Sequence, residues 1–303
     1  MWVYRGFDWH AELANLRDTQ WRWVYLAILA DIAVYVCQGF RWSTLLRPLA
    51  KVSPWKTTQA VYIGLFANEV LPLRSGEIIR CYLQRRWTGL PLSVVISSAI
   101  IERLLDGIWL VLWFWIAHRY VALPNLLVQG SRVLMVLLFI VGGLMAVAIF
   151  YKHHAHGAVS RSRWAEMLRP LVDGVNAMGD SLSFVAALAL SLLYLLLQIL
   201  PIYFLSIGYG IDLTAWEAAV VLVVLRLGTI VPQAPGNVGS FQALTVLAMK
   251  ILGVAKADAT GYATLLFVVV TAPLWVAGFI ALLATRMRLG EIHQEAKDTF
   301  ANR

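Results

Sequence analysis

The sequence is poor in charge, and this shortage decides the class of protein. Only 14% of its 303 residues are Asp, Glu, Lys or Arg, while 60% are hydrophobic and the mean hydropathy is +0.71. In soluble domains about 25% of residues are charged. No polar stretch exceeds roughly 35 residues, whereas an independent soluble domain needs ~50. The composition therefore predicts an integral membrane protein and excludes an attached soluble enzyme domain.

The motifs of the common catalytic sites are missing too. The sequence contains no Walker A, Gly-x-Ser-x-Gly, His-Glu-x-x-His or Asp-x-Asp motif, so nothing indicates a nucleotide, a lipase-like nucleophile, a zinc protease or a sugar-nucleotide transferase. Cys37 and Cys81 are far apart and near apolar segments, so no disulfide framework is predicted. Three histidines at 153–156 lie in a basic loop without acidic or thiol ligands. We expect no enzyme activity, metal or other cofactor.

The excess of basic residues has an explanation in the loops. There are 25 Lys and Arg against 17 Asp and Glu, a net charge of +8. These basic residues flank apolar segments, where membrane topology and anionic lipids both favour them. Because no module that alternates aromatic and basic residues is present, we expect no nucleic-acid partner.

Five stretches have the length and hydropathy of membrane-spanning helices, which need about 20 mainly apolar residues. They are residues 23–46, 92–118, 133–151, 184–208 and 260–285. Two further stretches, 58–86 and 216–253, are interrupted in the middle by proline, glycine and charge. Each interrupted stretch is predicted to form two short helices with an unwound centre.

The two interruptions resemble each other. Residues 72–76 and 235–239 both place a proline four residues before a glycine, and each interruption lies between two long helices. The pattern predicts an all-α polytopic protein of two inverted repeats, each with a broken or re-entrant helix pair. The expected organisation is an interfacial segment at 1–22, repeats at 23–118 and 184–285, a spacer helix with an amphipathic connector at 119–183, and a tail at 286–303.

The distribution of basic residues predicts the orientation. The side that holds the tail collects more Lys and Arg, so the C-terminus is expected in the cytoplasm, and the location is expected to be the bacterial inner membrane. The N-terminus would then start outside, and we expect a further helix before Met1. Near that end, Asp8 precedes Trp9, Leu13 and Leu16 at helical spacing, which fits a helix at the membrane interface or a plain surface helix.

Charged residues inside apolar segments are the candidates for a functional site, since each costs about 2.5–3.5 kcal/mol at the centre of a membrane helix. They surround the first interruption, recur in the next long helix, and appear once in the second interrupted stretch; Asp31 stands alone. These residues are Glu69, Arg74, Glu77, Arg80, Glu102, Arg103, Asp106 and Arg226, and the neutral amide Asn68 lies beside them.

Two interpretations of this cluster stay open. In the first, Arg74, Arg80, Arg103 and Arg226 bind a lipid phosphate, since guanidinium is bidentate and stays charged. Half-helix N-termini at Gly76 and Gly239 add partial positive charge, and Asn68 a further polar contact. The acidic residues orient the arginines or receive an amine. These acidic residues are Glu69, Glu77, Glu102 and Asp106. The residues predicted to form the breaks or hinges between the short helices are Pro72, Pro232, Pro235 and Gly236.

In the second interpretation, the charges are internal ion pairs. Glu102 and Asp106 are four residues apart and share a helix face, where they repel each other. An arginine from another segment would relieve this repulsion, and Arg74 and Arg80 are the predicted donors. The cluster would then be a structural element of a membrane scaffold.

The same residues resemble a known family. Arg41-Trp42, the stretch 68–80 around the first interruption, Glu102-Arg103 with Asp106, and Pro232 to Gly239 are similar to the lysylphosphatidylglycerol synthase/flippase transmembrane family over nearly the whole chain. This sequence departs from the family at 240–242, Ser-Phe-Gln, where relatives often have a glutamate after the last glycine.

The resemblance implies lipid transport. In the aminoacyl-lipid members, this membrane region moves the modified lipid between leaflets, and a separate soluble domain makes it. We therefore expect a stand-alone flippase-like transporter of a phospholipid or related anionic lipid, to which a separate lipid-modifying enzyme could supply substrate. The alternatives are a membrane enzyme or subunit that acts on a lipid carrier, with Glu77, Glu102 or Asp106 as acid-base groups, and the scaffold.

Overall fold

The computed structural model describes residues 3–5, 7–71, 75–121, 125–154, 182–228, 237–285, 289–291 and 294–295. Within these ranges the chain forms helices joined by turns, which confirms the predicted all-helical class for this part of the chain. The helices are α1 (Trp9–Asp18), α2 (Trp21–Leu46), α3 (Pro54–Val70), α4 (Gly76–Thr88), α5 (Leu92–Ala117), α6 (Asn125–His154), α7 (Leu182–Tyr209), α8 (Ala215–Gly228), α9 (Ser240–Ile251) and α10 (Lys256–Leu283).

Three of these helices are long and apolar enough to cross a membrane: α2, α7 and α10. Helix α5 matches α2 at 26 residues but carries Glu102, Arg103 and Asp106 in its middle. Both interrupted stretches form two short helices, of 17 and 13 residues in the first and of 14 and 12 in the second. Long, short, short and long helices therefore follow one another twice along the chain.

Several predicted boundaries were too narrow because polar residues lie within the first two turns of helices. Helix α3 begins at Pro54 instead of residue 58, since proline suits the first helical position. Helix α6 begins at Asn125 instead of residue 133 and includes Ser131, whose hydroxyl donates to the Val128 carbonyl at 2.8 Å. The predicted connector between 155 and 181 lies outside the described residues.

Helix α1 packs its polar side inward. The Asp8 carboxylate accepts a hydrogen bond from the His10 amide at 2.9 Å, as expected of a residue that caps a helix. Glu12 is buried and accepts from the Tyr209 hydroxyl at 2.8 Å, while Trp9 and Leu13 are exposed. The apolar residues of this helix are therefore largely exposed, although Trp9 also stacks on Tyr4.

Helices α2 and α7 form an antiparallel pair along their whole length. At one end the Gln20 amide donates to the Gly208 carbonyl at 2.9 Å, and further along the Cys37 thiol contacts the Leu190 carbonyl at 3.7 Å. Two apolar clusters lie towards the two ends of this pair. One contains most of α8 and α9, the other most of α3 and α4, and the long helices contribute to both.

Candidate functional site: a charged network beside a central cavity

A cavity of about 930 Å³ lies between helices of the first and second halves of the chain. Most of its wall is apolar, including Ile100 and Leu104 of α5 and Leu266 of α10. The charged and amide side chains that line it include Asp31, Asn68, Glu69, Glu77, Arg103 and Arg226. The cavity therefore combines an apolar lining with charges of both signs.

A network of buried ion pairs begins behind this cavity at Arg41 of α2. The Arg41 side chain is completely buried and donates from Nη2 to Glu102 Oε1 at 3.0 Å. It also pairs with Asp106, one turn further along α5, and contacts the Ser191 hydroxyl of α7 at 3.3 Å. The guanidinium carbon lies 4.6 Å from the centre of the Tyr194 ring. Arg41 thus joins three helices.

Arg80 of α4 continues the network from the opposite side of Glu102. Its Nη1 donates to Glu102 Oε2 at 3.0 Å, and its Nε donates to Glu77 Oε2 at 2.8 Å. Its guanidinium carbon lies 4.6 Å from the centre of the Trp42 ring. Both carboxylate oxygens of Glu102 therefore accept from arginines, which provides the compensation that a buried carboxylate requires.

The network ends at the cavity wall with Arg103 and Glu77. Arg103 Nη2 donates to Glu77 Oε1 at 2.7 Å, and Arg103 Nη1 lies 3.5 Å from Asp106 Oδ2. The side chains of Arg103 and Glu77 are 44% and 43% exposed, in contrast to the buried Arg41 and Arg80. The network is thus closed at its deep end and accessible at the cavity.

Arg226 reaches the same cavity from the second half of the chain. It lies in the last turn of α8, and its Nη2 donates to the Tyr194 hydroxyl at 3.3 Å and to the Gln198 amide oxygen. The ring of Tyr194 also stacks on Arg41, so this one side chain of α7 contacts the guanidinium groups of both Arg41 and Arg226. Arg103 and Arg226 therefore present positive charge to one cavity from two different parts of the fold.

The second short helix of each interrupted stretch begins at, or directly after, the glycine that predicted its start. Helix α4 starts at Gly76, whose amide donates to the Asn68 side chain at 2.8 Å, and Gly239 precedes α9 with a φ of 86°. The Gly239 amide donates to the Gln242 side chain at 2.6 Å. Both glycine amides are thus occupied by side chains of the protein, so neither is available to an anion in this conformation.

The structure separates the predicted site residues into groups. Asn68, Glu69, Glu77, Arg103 and Arg226 line the cavity. Arg80 and Glu102 are buried behind it, and Asp106 is partly buried in the network. Arg80, expected to bind a head group, instead pairs with two carboxylates. The remaining predicted residues, Arg74, Pro72, Pro232, Pro235 and Gly236, lie outside the described residues.

The repulsion between Glu102 and Asp106 is relieved by arginines, as expected, but one of these arginines was not predicted. Arg80 pairs with Glu102 as predicted, but Asp106 pairs with Arg41 and Arg103. Sequence reasoning gave Arg41 no site role, and Tyr194 and Gln198 none either. The signal for Arg41 was its position near the end of an apolar helix that otherwise carries one interior charge, Asp31.

Comparison with known proteins shows the family of the chain. The family described as "Lysylphosphatidylglycerol synthase TM region" matches residues 1–291. The chain belongs to this family. A UPF0104 membrane protein of Methanothermobacter thermautotrophicus is 24% identical over 286 residues, covering 87% of this chain and 78% of the relative. A second one, from Methanocaldococcus jannaschii, is 29% identical over 107 residues, covering 34% and 31%. No solved structure matches significantly.

Family membership confirms the membrane assignment and relates the chain to lipid chemistry. The family is a membrane region without the catalytic domain, and neither relative is named as an enzyme. Both relatives are archaeal, so the expected bacterial inner-membrane location stays a prediction.

Proposed function

We propose that this protein is a lipid flippase, which moves a phospholipid between the two leaflets through the central cavity and binds the phosphate of its head group there. The observation that carries the proposal is the presence of Arg103 and Arg226, from different halves of the chain, in the wall of one largely apolar cavity. Guanidinium groups bind phosphate through two parallel hydrogen bonds, and the apolar wall suits the adjoining acyl chains.

The charge network supports a role for Arg103 as the movable contact. Arg103 is the exposed end of the network, held by Glu77 and Asp106, whereas Arg41 and Arg80 are fixed by buried carboxylates and aromatic rings. A phosphate in the cavity would compete with the Glu77 carboxylate for the same guanidinium. The network would keep Arg103 compensated when the cavity is empty and release it to the lipid.

We further infer that α2–α5 and α7–α10 are inverted repeats that rock about the cavity to expose it to one leaflet and then the other. Supporting this inference are the matching order of long and short helices and the glycine at the start of each second half-helix. In this arrangement the N-terminus starts outside and the C-terminus lies in the cytoplasm, with 119–183 as the link between repeats.

The same geometry gives little support to the alternative of an enzyme that acts on a lipid carrier. Glu102 has both carboxylate oxygens engaged by arginines, so it has no free position from which to take or give a proton. The paired and buried Arg41, Glu102 and Arg80 instead stabilise the packing of α2, α4 and α5. Any modification of the lipid would be carried out by a separate protein.

The test is lipid translocation in proteoliposomes with a fluorescent phospholipid. Arg103→Gln and Arg226→Gln should each reduce the translocation rate by about tenfold, the effect of losing one charge-assisted contact. Arg119→Gln is the matched control, since Arg119 is exposed beyond the end of α5. Elution as a single species in gel filtration verifies folding. Wild-type rates in folded Arg103→Gln and Arg226→Gln would contradict the proposal.

A further inference from the structure

Asp31 is a buried acid that the network does not use. It lies in the middle of α2, is 4% exposed and lines the cavity. Its Oδ2 has no hydrogen-bond partner among the residues that the structure describes. A buried polar atom without a hydrogen-bond partner is unfavourable, and a functional role is one explanation for it. Asp31 therefore places in the cavity wall an acidic group that a bound cation would compensate.

The surroundings of Asp31 are aromatic on one side and lead to an arginine on the other. Tyr35, one turn further along α2, lines the same cavity and packs in one cluster with Tyr194 of α7, whose hydroxyl accepts a hydrogen bond from Arg226 of α8 at 3.3 Å. Tyr62 of α3 is also close to Asp31, but its hydroxyl donates to the Ile32 carbonyl at 3.3 Å instead. Asp31 and Arg226 therefore carry opposite charges in the wall of one cavity, which Tyr35 and Tyr194 also line.

We propose that Asp31 binds the primary ammonium group of a zwitterionic head group of the phosphoethanolamine type, while Arg226 binds the phosphate of the same head group. This inference rests on the proposed function and specifies its substrate class. An ammonium group brings three donors to the carboxylate of Asp31, and Tyr35 lines the cavity one turn further along the same helix. A head group with phosphate alone would leave Asp31 without its donor.

The experiment compares lipids that share the phosphate and differ in the amine. Binding of short-chain phosphatidylethanolamine and short-chain phosphatidylglycerol to the purified full chain in detergent is measured by titration. The wild type should bind phosphatidylethanolamine about tenfold more tightly, and Asp31→Asn should lose that preference while its affinity for phosphatidylglycerol stays within about twofold. Asp212→Asn, at an exposed acid between α7 and α8, is the matched control and should keep the preference.

A measurement on the wild type alone covers the case in which Asp31→Asn does not fold. Phosphatidylcholine carries a quaternary ammonium that cannot donate a hydrogen bond, so it should bind about tenfold more weakly than phosphatidylethanolamine. Equal affinities of the wild type for phosphatidylcholine and phosphatidylethanolamine would overturn the subsite. An equal loss of affinity for phosphatidylethanolamine and phosphatidylglycerol in Asp31→Asn would overturn it as well. If the amine preference is present but no lipid crosses the bilayer, the subsite stands and the proposed flippase function fails.

Discussion

At the scale of single residues, Arg41 determines how the buried charges compensate one another. It is fully buried and pairs with Glu102 and Asp106, so its loss would leave Glu102 with Arg80 alone and Asp106 with Arg103 alone. The whole network, Arg41 included, is formed by three arginines and three carboxylates in alternation. Because each member has more than one partner, the effect of a substitution depends on which charges remain.

Replacing Arg41 by methionine should destabilise the protein by about 3–5 kcal/mol, since the substitution leaves buried carboxylates with too few donors. Thermal unfolding in detergent, followed by tryptophan fluorescence, measures the effect. Arg119→Met, at an exposed position, controls for the loss of a positive charge.

Adding Glu102→Leu to Arg41→Met should recover most of the lost stability. The remaining charges then form the pairs Arg80–Glu77 and Arg103–Asp106, so no buried ion is left alone. Replacing a whole buried ion pair by apolar residues is often neutral. A double variant as unstable as the Arg41→Met variant would show that the network does not act through charge compensation.

The sequence predicts that Glu102 and Asp106 require positively charged partners, but it does not identify all of these partners. The repulsion between Glu102 and Asp106 follows from their spacing on one helix face. Their partner Arg41 is separated from them by 61 and 65 positions along the chain, and only the packing of α2 against α5 brings the groups together. Asp31 was noted only as a lone charge, because burial and cavity position are properties of the fold.

At the scale of helices, the crossing of α3 and α4 fixes the first interruption. Gly64 and Gly76 face each other there, and a Cβ at Gly76 would overlap the Gly64 carbonyl oxygen. Asn68 closes the same crossing by accepting from the Gly76 amide at 2.8 Å. Two glycines and one amide side chain therefore hold the start of α4 against α3.

Gly76→Ala should destabilise the protein by about 1–3 kcal/mol, because the methyl group meets backbone that cannot rotate away. Gly130→Ala in α6, where a Cβ meets nothing within 4 Å, should be neutral or slightly stabilising. The difference between the two unfolding temperatures in detergent is the measurement. Equal unfolding temperatures would contradict the close approach of α3 and α4.

Asn68→Ala should cost about 1 kcal/mol by leaving the first amide of α4 without its acceptor. Asn68→Asp keeps an oxygen in the same position and should retain more of the stability than alanine does. Chemical unfolding of the wild type, Asn68→Asp and Asn68→Ala measures their free energies of unfolding, which should decrease in that order. If the aspartate and alanine variants are equally unstable, the cap is not the cause.

The helices themselves were largely predictable, and the crossings were not. Apolar stretches of about 20 residues predicted every long helix that the structure describes, and the prolines and glycines predicted both interruptions. The first turns of α6 and α10 were missed because polar residues within or directly after them interrupt the apolar signal. Gly64 carries no sequence signal of its close contact, since its partner is brought there only by the fold.

At the scale of the whole molecule, the cavity should be reachable by water-soluble reagents. Ile78 of α4 lines it and is 38% exposed, whereas Leu83 of the same helix is completely buried. In a background with Cys37→Ala and Cys81→Ala, Ile78→Cys should react with a membrane-impermeant maleimide and Leu83→Cys should not. Added phospholipid should slow the reaction of Ile78→Cys at least severalfold.

Equal labelling of both positions, or labelling of Ile78→Cys that phospholipid does not change, would count against an open cavity that takes up lipid. The extent of modification is read by mass spectrometry of the intact protein. Neither measurement depends on translocation, so this prediction is independent of the flippase assay.

The three charges of α5 also bear on how the protein is made. Glu102, Arg103 and Asp106 would together oppose the entry of α5 into lipid as a separate segment, at about 2.5–3.5 kcal/mol each. Arg41 is already synthesised when α5 leaves the ribosome, and its guanidinium offers the first counter-charge. We expect α5 to leave the translocon only together with α2, so a smaller share of an Arg41 variant than of the wild type should be inserted and recovered as folded protein from the membrane.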